Sequence, residues 1–140
     1  MRTLILLFFI CSSIFGQTNK IEILNFNGIY ETKCDSVDTD GEKSFIRFYP
    51  NQKVITVTTE CDATVFDLKT WFNLKKEDIS IGNYQIKNDT IFFSTTNKYG
   101  TVIYKGKVTE NGVLQLKLKS LINGFKNRNE YQFIEIPDLK

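Results

Sequence analysis

Residues 113 to 119 read Val-Leu-Gln-Leu-Lys-Leu-Lys, so that Leu114, Leu116 and Leu118 share one side of the chain while Gln115, Lys117 and Lys119 share the other. Successive side chains of an extended strand point to opposite faces, and this run therefore meets a core on one face and water on the other. Seven further short runs rich in Ile, Val, Thr, Tyr and Phe, broken by Asn, Gly, Asp or Pro, occupy residues 28–34, 44–49, 54–60, 80–87, 90–96, 101–109 and 129–136. The pattern predicts eight antiparallel strands in an all-β domain. A single helical stripe, Val65, Leu68 and Phe72 at i, i+3 and i+7, predicts one short helix over 65–75.

The connections sort by length. If the strands run up and down in order, one end receives the tight turns 50–53, 88–89 and 110–112, where Asn and Gly supply the positive φ that hairpins favour. The other end receives every long connection: 35–43, 61–79 with the helix, 97–100 and 121–128. A meander of this size is expected to close into an eight-stranded up-and-down barrel, because closure removes the exposed edges of an open sheet. Lysines at 105, 107, 117 and 119 on the outward face argue against a barrel that spans a bilayer, whose outer band must be apolar. Of the inward candidates, Phe45, Tyr49, Phe93, Tyr131 and Phe133 are bulky, which favours a filled interior with a modest pocket at the long-loop mouth.

The beginning of the chain reads as an export signal. Arg2 precedes the apolar run Leu4 to Ile10, followed by Cys11-Ser12-Ser13 and Gly16, in the order of a signal peptide. Residues 1–16 are expected to be removed, leaving one domain over 17–140 in the periplasm or outside the cell. Ile10 stands where a lipoprotein signal needs a small residue before its cysteine, which disfavours lipidation at Cys11. No later segment is long or apolar enough for a membrane helix, so no stable membrane insertion of the mature chain is expected. With 18 Lys and Arg against 16 Asp and Glu, the bulk charge implies no nucleic-acid partner.

Signal removal leaves Cys34 and Cys61 as an even pair in an oxidising compartment, where a structural disulfide is expected; a redox pair would usually be closer in sequence. The bond would tie two loops of the same rim together.

The segments Phe26-Asn27-Gly28-Ile29-Tyr30, Phe45-Ile46-Arg47-Phe48-Tyr49-Pro50-Asn51, Gly82-Asn83-Tyr84-Gln85-Ile86 with Ile91-Phe92-Phe93, and Tyr131-Gln132-Phe133 resemble small secreted bacterial proteins of lipocalin-like, calycin type. Gly28-Ile29-Tyr30 stands where lipocalins carry a Gly-x-Trp signature, with Tyr in place of Trp. The resemblance implies a barrel that binds a small ligand.

The chain contains no histidine, which removes Ser-His and Cys-His nucleophile pairs and the commonest zinc ligand. With both cysteines paired and no acidic pair distinct from a solvated surface, no enzyme activity, cofactor or metal site is expected. The loop from Asp35 to Glu42 alternates oxygen-bearing residues but has Ser36 and Arg47 where a calcium loop needs acids, and it reads as a solvated turn. Asn88-Asp89-Thr90 fits a glycosylation sequon and a tight turn alike, and is read as the turn. The expected function is non-enzymatic binding of a small apolar or amphipathic molecule at the long-loop end. The rival is a protein-interaction factor, such as an inhibitor of an extracellular enzyme, whose partner is an extracellular protein. In either case the rim residues Trp71, Phe72, Tyr99 and Phe125 are the candidate contacts, with the Trp71-Phe72 pair also able to serve as a core cap over the barrel.

Overall fold

The computed structural model describes residues 23–35 and 41–139. Strands β1 (Gly28–Glu31), β2 (Glu42–Phe48), β3 (Lys53–Glu60), β4 (Ser80–Lys87), β5 (Thr90–Asn97), β6 (Gly100–Val108), β7 (Leu114–Ser120) and β8 (Lys126–Glu135) pair antiparallel in sequence order. The last strand pairs with the first, which closes the barrel. This is the expected up-and-down architecture, consistent with a lipocalin-like fold. The export signal, the 1–16 boundary and most of the acidic loop, residues 36–40, lie outside the described residues.

The tight-turn end is sealed. Leu24 is buried from below among Tyr30, Phe48, Ile91, Leu114 and Tyr131, and the Asn25 amide donates to the Tyr30 hydroxyl at 3.0 Å. Tyr30 sits edge-on to Phe48 at 5.7 Å and tilted against Phe133 at 5.1 Å. Phe48 in turn meets Tyr84 and Phe93, and Phe93 stacks on Tyr104 at 4.5 Å. Rings in these edge-to-face and stacked arrangements fill the lower interior, as eight strands allow.

Three glycines make the strong coiling possible. A Cβ at Gly28, Gly82 or Gly106 would collide with the backbone carbonyl of Ile134, Ser94 or Gln115 on the neighbouring strand. Close backbone approach of this kind is where a strand glycine bends a barrel wall.

A second apolar cluster lies on the outer wall. Ile29, Phe45, Tyr49 and Ile55 point away from the interior and are covered by Leu68 and Phe72 of the helical segment and by Ile136. Phe45 and Tyr49 therefore do not face inward as expected; Ile46 and Phe48 do. Both faces of β2 are covered, so period-two alternation alone does not say which is the interior.

Helix α1 (Val65–Trp71) begins with a capping box in which Thr64 Oγ1 accepts from the Asp67 amide and the Asp67 carboxylate accepts from the Thr64 amide. It stops earlier than residue 75. The Phe72 carbonyl accepts from Arg47 Nη1 at 3.3 Å and from the Tyr49 hydroxyl at 3.2 Å, which holds the chain at that point. Asn73 then turns the chain by accepting the Lys75 amide. A seven-residue helix is not stable alone, and packing of Leu68 and Phe72 on the wall maintains it.

Candidate functional site

The upper interior is polar, in contrast to the lower. Strands β3 and β4 pair only from Lys53 to Thr56 with Ser80 to Asn83, so that Val57 to Glu60 part from β4 and leave a cleft at the long-loop end. A cavity of about 460 Å³ occupies this mouth. Its inner wall is made by Thr56, Thr58, Thr95, Val102 and Tyr104, and its outer lip by Trp71 and Ile79 with the exposed Lys76 and Asp78.

The floor is a cluster of hydroxyls. Thr56 Oγ1 and Thr95 Oγ1 lie 2.9 Å apart, and Tyr104 lines the same floor. Burial pushes the Tyr104 phenol upward from its ordinary value, opposed in part by the neighbouring Thr56 and Thr95 hydroxyls, so it stays neutral at physiological pH. Above the floor Ser44 and Thr58 share a hydroxyl contact at 3.0 Å, and Asn97 Nδ2 donates to Ser80 Oγ at 2.7 Å. The inner residues present neutral donors and acceptors over a partly apolar wall, and the charged groups of the lining, Lys76 and Asp78, stand at the exposed lip.

Cys34 and Cys61 are bonded, with Cα atoms 5.7 Å apart. The bond joins the end of β1 to the end of β3 beside the mouth, and the Cys61 amide donates to the Gly41 carbonyl at 3.2 Å. The Cys34, Asp35 and Cys61 grouping is thus committed to a disulfide, and its sulfurs are not free to ligate a metal. The bond fits an oxidising compartment. No helix among the described residues is long and apolar enough to cross a membrane.

The four rim candidates separate. Trp71 is half-buried on the lip of the mouth. Phe72, next to it, is 0% exposed and belongs to the outer-wall cluster, so the helix braces the barrel from its side and does not roof the opening. Tyr99 and Phe125 are 72% and 56% exposed on the β5–β6 and β7–β8 connections. Sequence reasoning did not single out Thr56, Thr95 and Tyr104; the signal available was hydroxyl residues recurring at inward positions of β3 and β5.

No protein-family model, curated protein or solved structure matches the chain.

Proposed function

We propose that the protein is a non-enzymatic binding protein whose site is the mouth, and that its ligand is a small amphipathic molecule entering polar end first. The observation that carries this reading is the Thr56, Thr95 and Tyr104 hydroxyl cluster at the floor of an open cavity of about 460 Å³. A cavity of that size lies within the range that holds small ligands, and a few convergent polar groups fix the orientation of what enters. Neutral hydroxyls favour a hydrogen-bonding group such as an alcohol, ester or amide over a charged one. Val102, Ile79 and Trp71 offer apolar surface to the remainder of the molecule. The sealed lower barrel supports binding at the mouth rather than deep in the interior, as the resemblance to lipocalins would place a ligand. The lack of histidine, and the commitment of Cys34 and Cys61 to each other, support binding over catalysis.

The test is extraction of the protein, recovered from its host after export, followed by mass spectrometry of small molecules released on unfolding. The reading expects one amphipathic species at near-equal molar amount. Recovery of a tightly bound protein and no small molecule would contradict it and favour the interaction-factor alternative.

A further inference from the structure

Strands β6, β7 and β8 carry an array of like charge on their outward face. Lys105 lies directly across from Lys117, Lys117 across from Arg128, and Lys119 across from Lys126. Neighbouring strands are about 4.8 Å apart, and like charges placed directly opposite destabilise a sheet. With Lys107, six of the chain's 18 basic residues stand on this wall beside Glu130, and the rest of the chain, with the other 12 basic residues against 15 of the 16 acids, is net acidic. Among the described residues none of the six makes an ion pair. The nearby outward acid, Glu130, accepts from Gln115 Nε2 at 3.1 Å. Two grooves of about 570 and 660 Å³ run between these side chains, each bordered by Lys105, Lys117 and Arg128.

The same wall ends in exposed apolar side chains. Leu121 and Ile122, at the β7–β8 turn, are 56% and 52% exposed, and Tyr99, Ile103 and Phe125 beside them are exposed as well. The two connections are held together: the Leu121 amide donates to the Thr101 carbonyl at 2.9 Å, and the Gly124 amide closes the turn onto Ser120 at 3.0 Å. The apolar tip is thus presented on a fixed turn next to Lys119 and Lys126.

We propose that this wall and tip dock on an anionic lipid surface, with the tip entering the headgroup region and the basic side chains lying against lipid phosphates. Charge complementarity selects an anionic partner, and the adjoining aliphatic residues select a bilayer. Against a polysaccharide or nucleic acid, Leu121 and Ile122 would stay in water and contribute nothing. The attachment is peripheral, and it would place the mouth of the barrel beside a source of amphipathic molecules.

The test uses the protein recovered after export, its N-terminus fixed by mass, and co-sedimentation with phosphatidylcholine vesicles with and without phosphatidylglycerol. Binding is expected only with phosphatidylglycerol and is expected to weaken as salt is raised. Each basic residue near an anionic surface contributes a factor of roughly five, so K117Q with K119Q should weaken binding roughly 30-fold. Leu121→Ser with Ile122→Ser should weaken it by about tenfold or more while leaving the salt dependence intact. All variants share one N-terminus, so its contribution cancels, and all four positions are surface ones whose variants should melt as the parent does. Equal binding to both kinds of vesicle, unchanged binding by either double variant, or capture by an acidic polysaccharide without capture by vesicles would each overturn the proposal.

Discussion

Thr56 and Thr95 bond to each other at 2.9 Å although β4 lies between their strands. They meet because the β4 residue facing inward between them is Gly82, paired with Thr95 on one side and with Val54 on the other. The floor of the mouth therefore depends on a missing side chain. Gly82→Ala would drive a methyl group into the Ser94 carbonyl, and the loss of stability is expected to be about 2 kcal/mol or more by denaturant unfolding. A change under about 0.5 kcal/mol would mean that the strand is less tightly coiled there than described.

The disulfide closes a loop across the 27 positions separating Cys34 and Cys61, and the chain-entropy model assigns such a loop about 3.5 kcal/mol. Thiol titration of the unfolded, unreduced protein should find neither cysteine free. The double serine variant should unfold at lower denaturant by a corresponding amount. Two titratable thiols would contradict the bond.

Leu116 and Lys117 are sequence neighbours on opposite faces of β7, one buried in the inner cluster and one exposed on the basic wall. Leu116→Ala should cost about 2 to 5 kcal/mol. Lys117→Ala should change stability by less than about 0.5 kcal/mol, and relief of repulsion from Lys105 and Arg128 makes a small gain the expected sign. Equal costs at the two positions would put the register in error.

Burial pushes the Tyr131 hydroxyl up to about 12 from an ordinary 10.0, with a bond from Asn129 at 3.4 Å working the other way. The folded state thus favours the protonated phenol. Its contribution is fully present below about pH 10 and is lost as pH rises from there toward 12, about 2 to 3 kcal/mol in all. Unfolding measured at pH 8 and 11 should show Tyr131→Phe losing about 1 kcal/mol less than the parent over that interval. An identical loss would show that Tyr131 titrates normally in the folded protein.

Barrel topology was legible because it is written in local terms: alternation in β7, positive-φ residues at Asn88, Asp89 and Gly112, and an even cysteine pair. The inward face of β2 was not legible. Phe45 and Tyr49 are as apolar as Ile46 and Phe48, and only the docking of α1 and Ile136 on the outside decides between them. The end of the helix escaped for a similar reason, since the bonds from Arg47 and Tyr49 that hold the Phe72 carbonyl come from a distant strand. The mouth hydroxyls were hidden because Thr is an ordinary strand residue, and only the register across Gly82 brings Thr56 to Thr95. The rim reading found Tyr99 and Phe125 exposed but could not see the lysines of β6 and β7 fall opposite one another, because cross-strand pairing is not a local property.

The most direct test of a ligand site at the mouth is to fill it. Val102 is partly buried and lines the cavity of about 460 Å³, which has room for a larger side chain. Parent protein, Val102→Trp and Asn111→Ala, the last in a turn at the sealed end, should be recovered from the host after export and shown by thermal melting to be folded. The quantity to measure is the amount of small molecule released per mole of each on unfolding. The parent and Asn111→Ala are expected to release the same amphipathic species in equal amount, and Val102→Trp is expected to release little or none. Equal release from Val102→Trp would contradict a site at the mouth and place it elsewhere on the barrel.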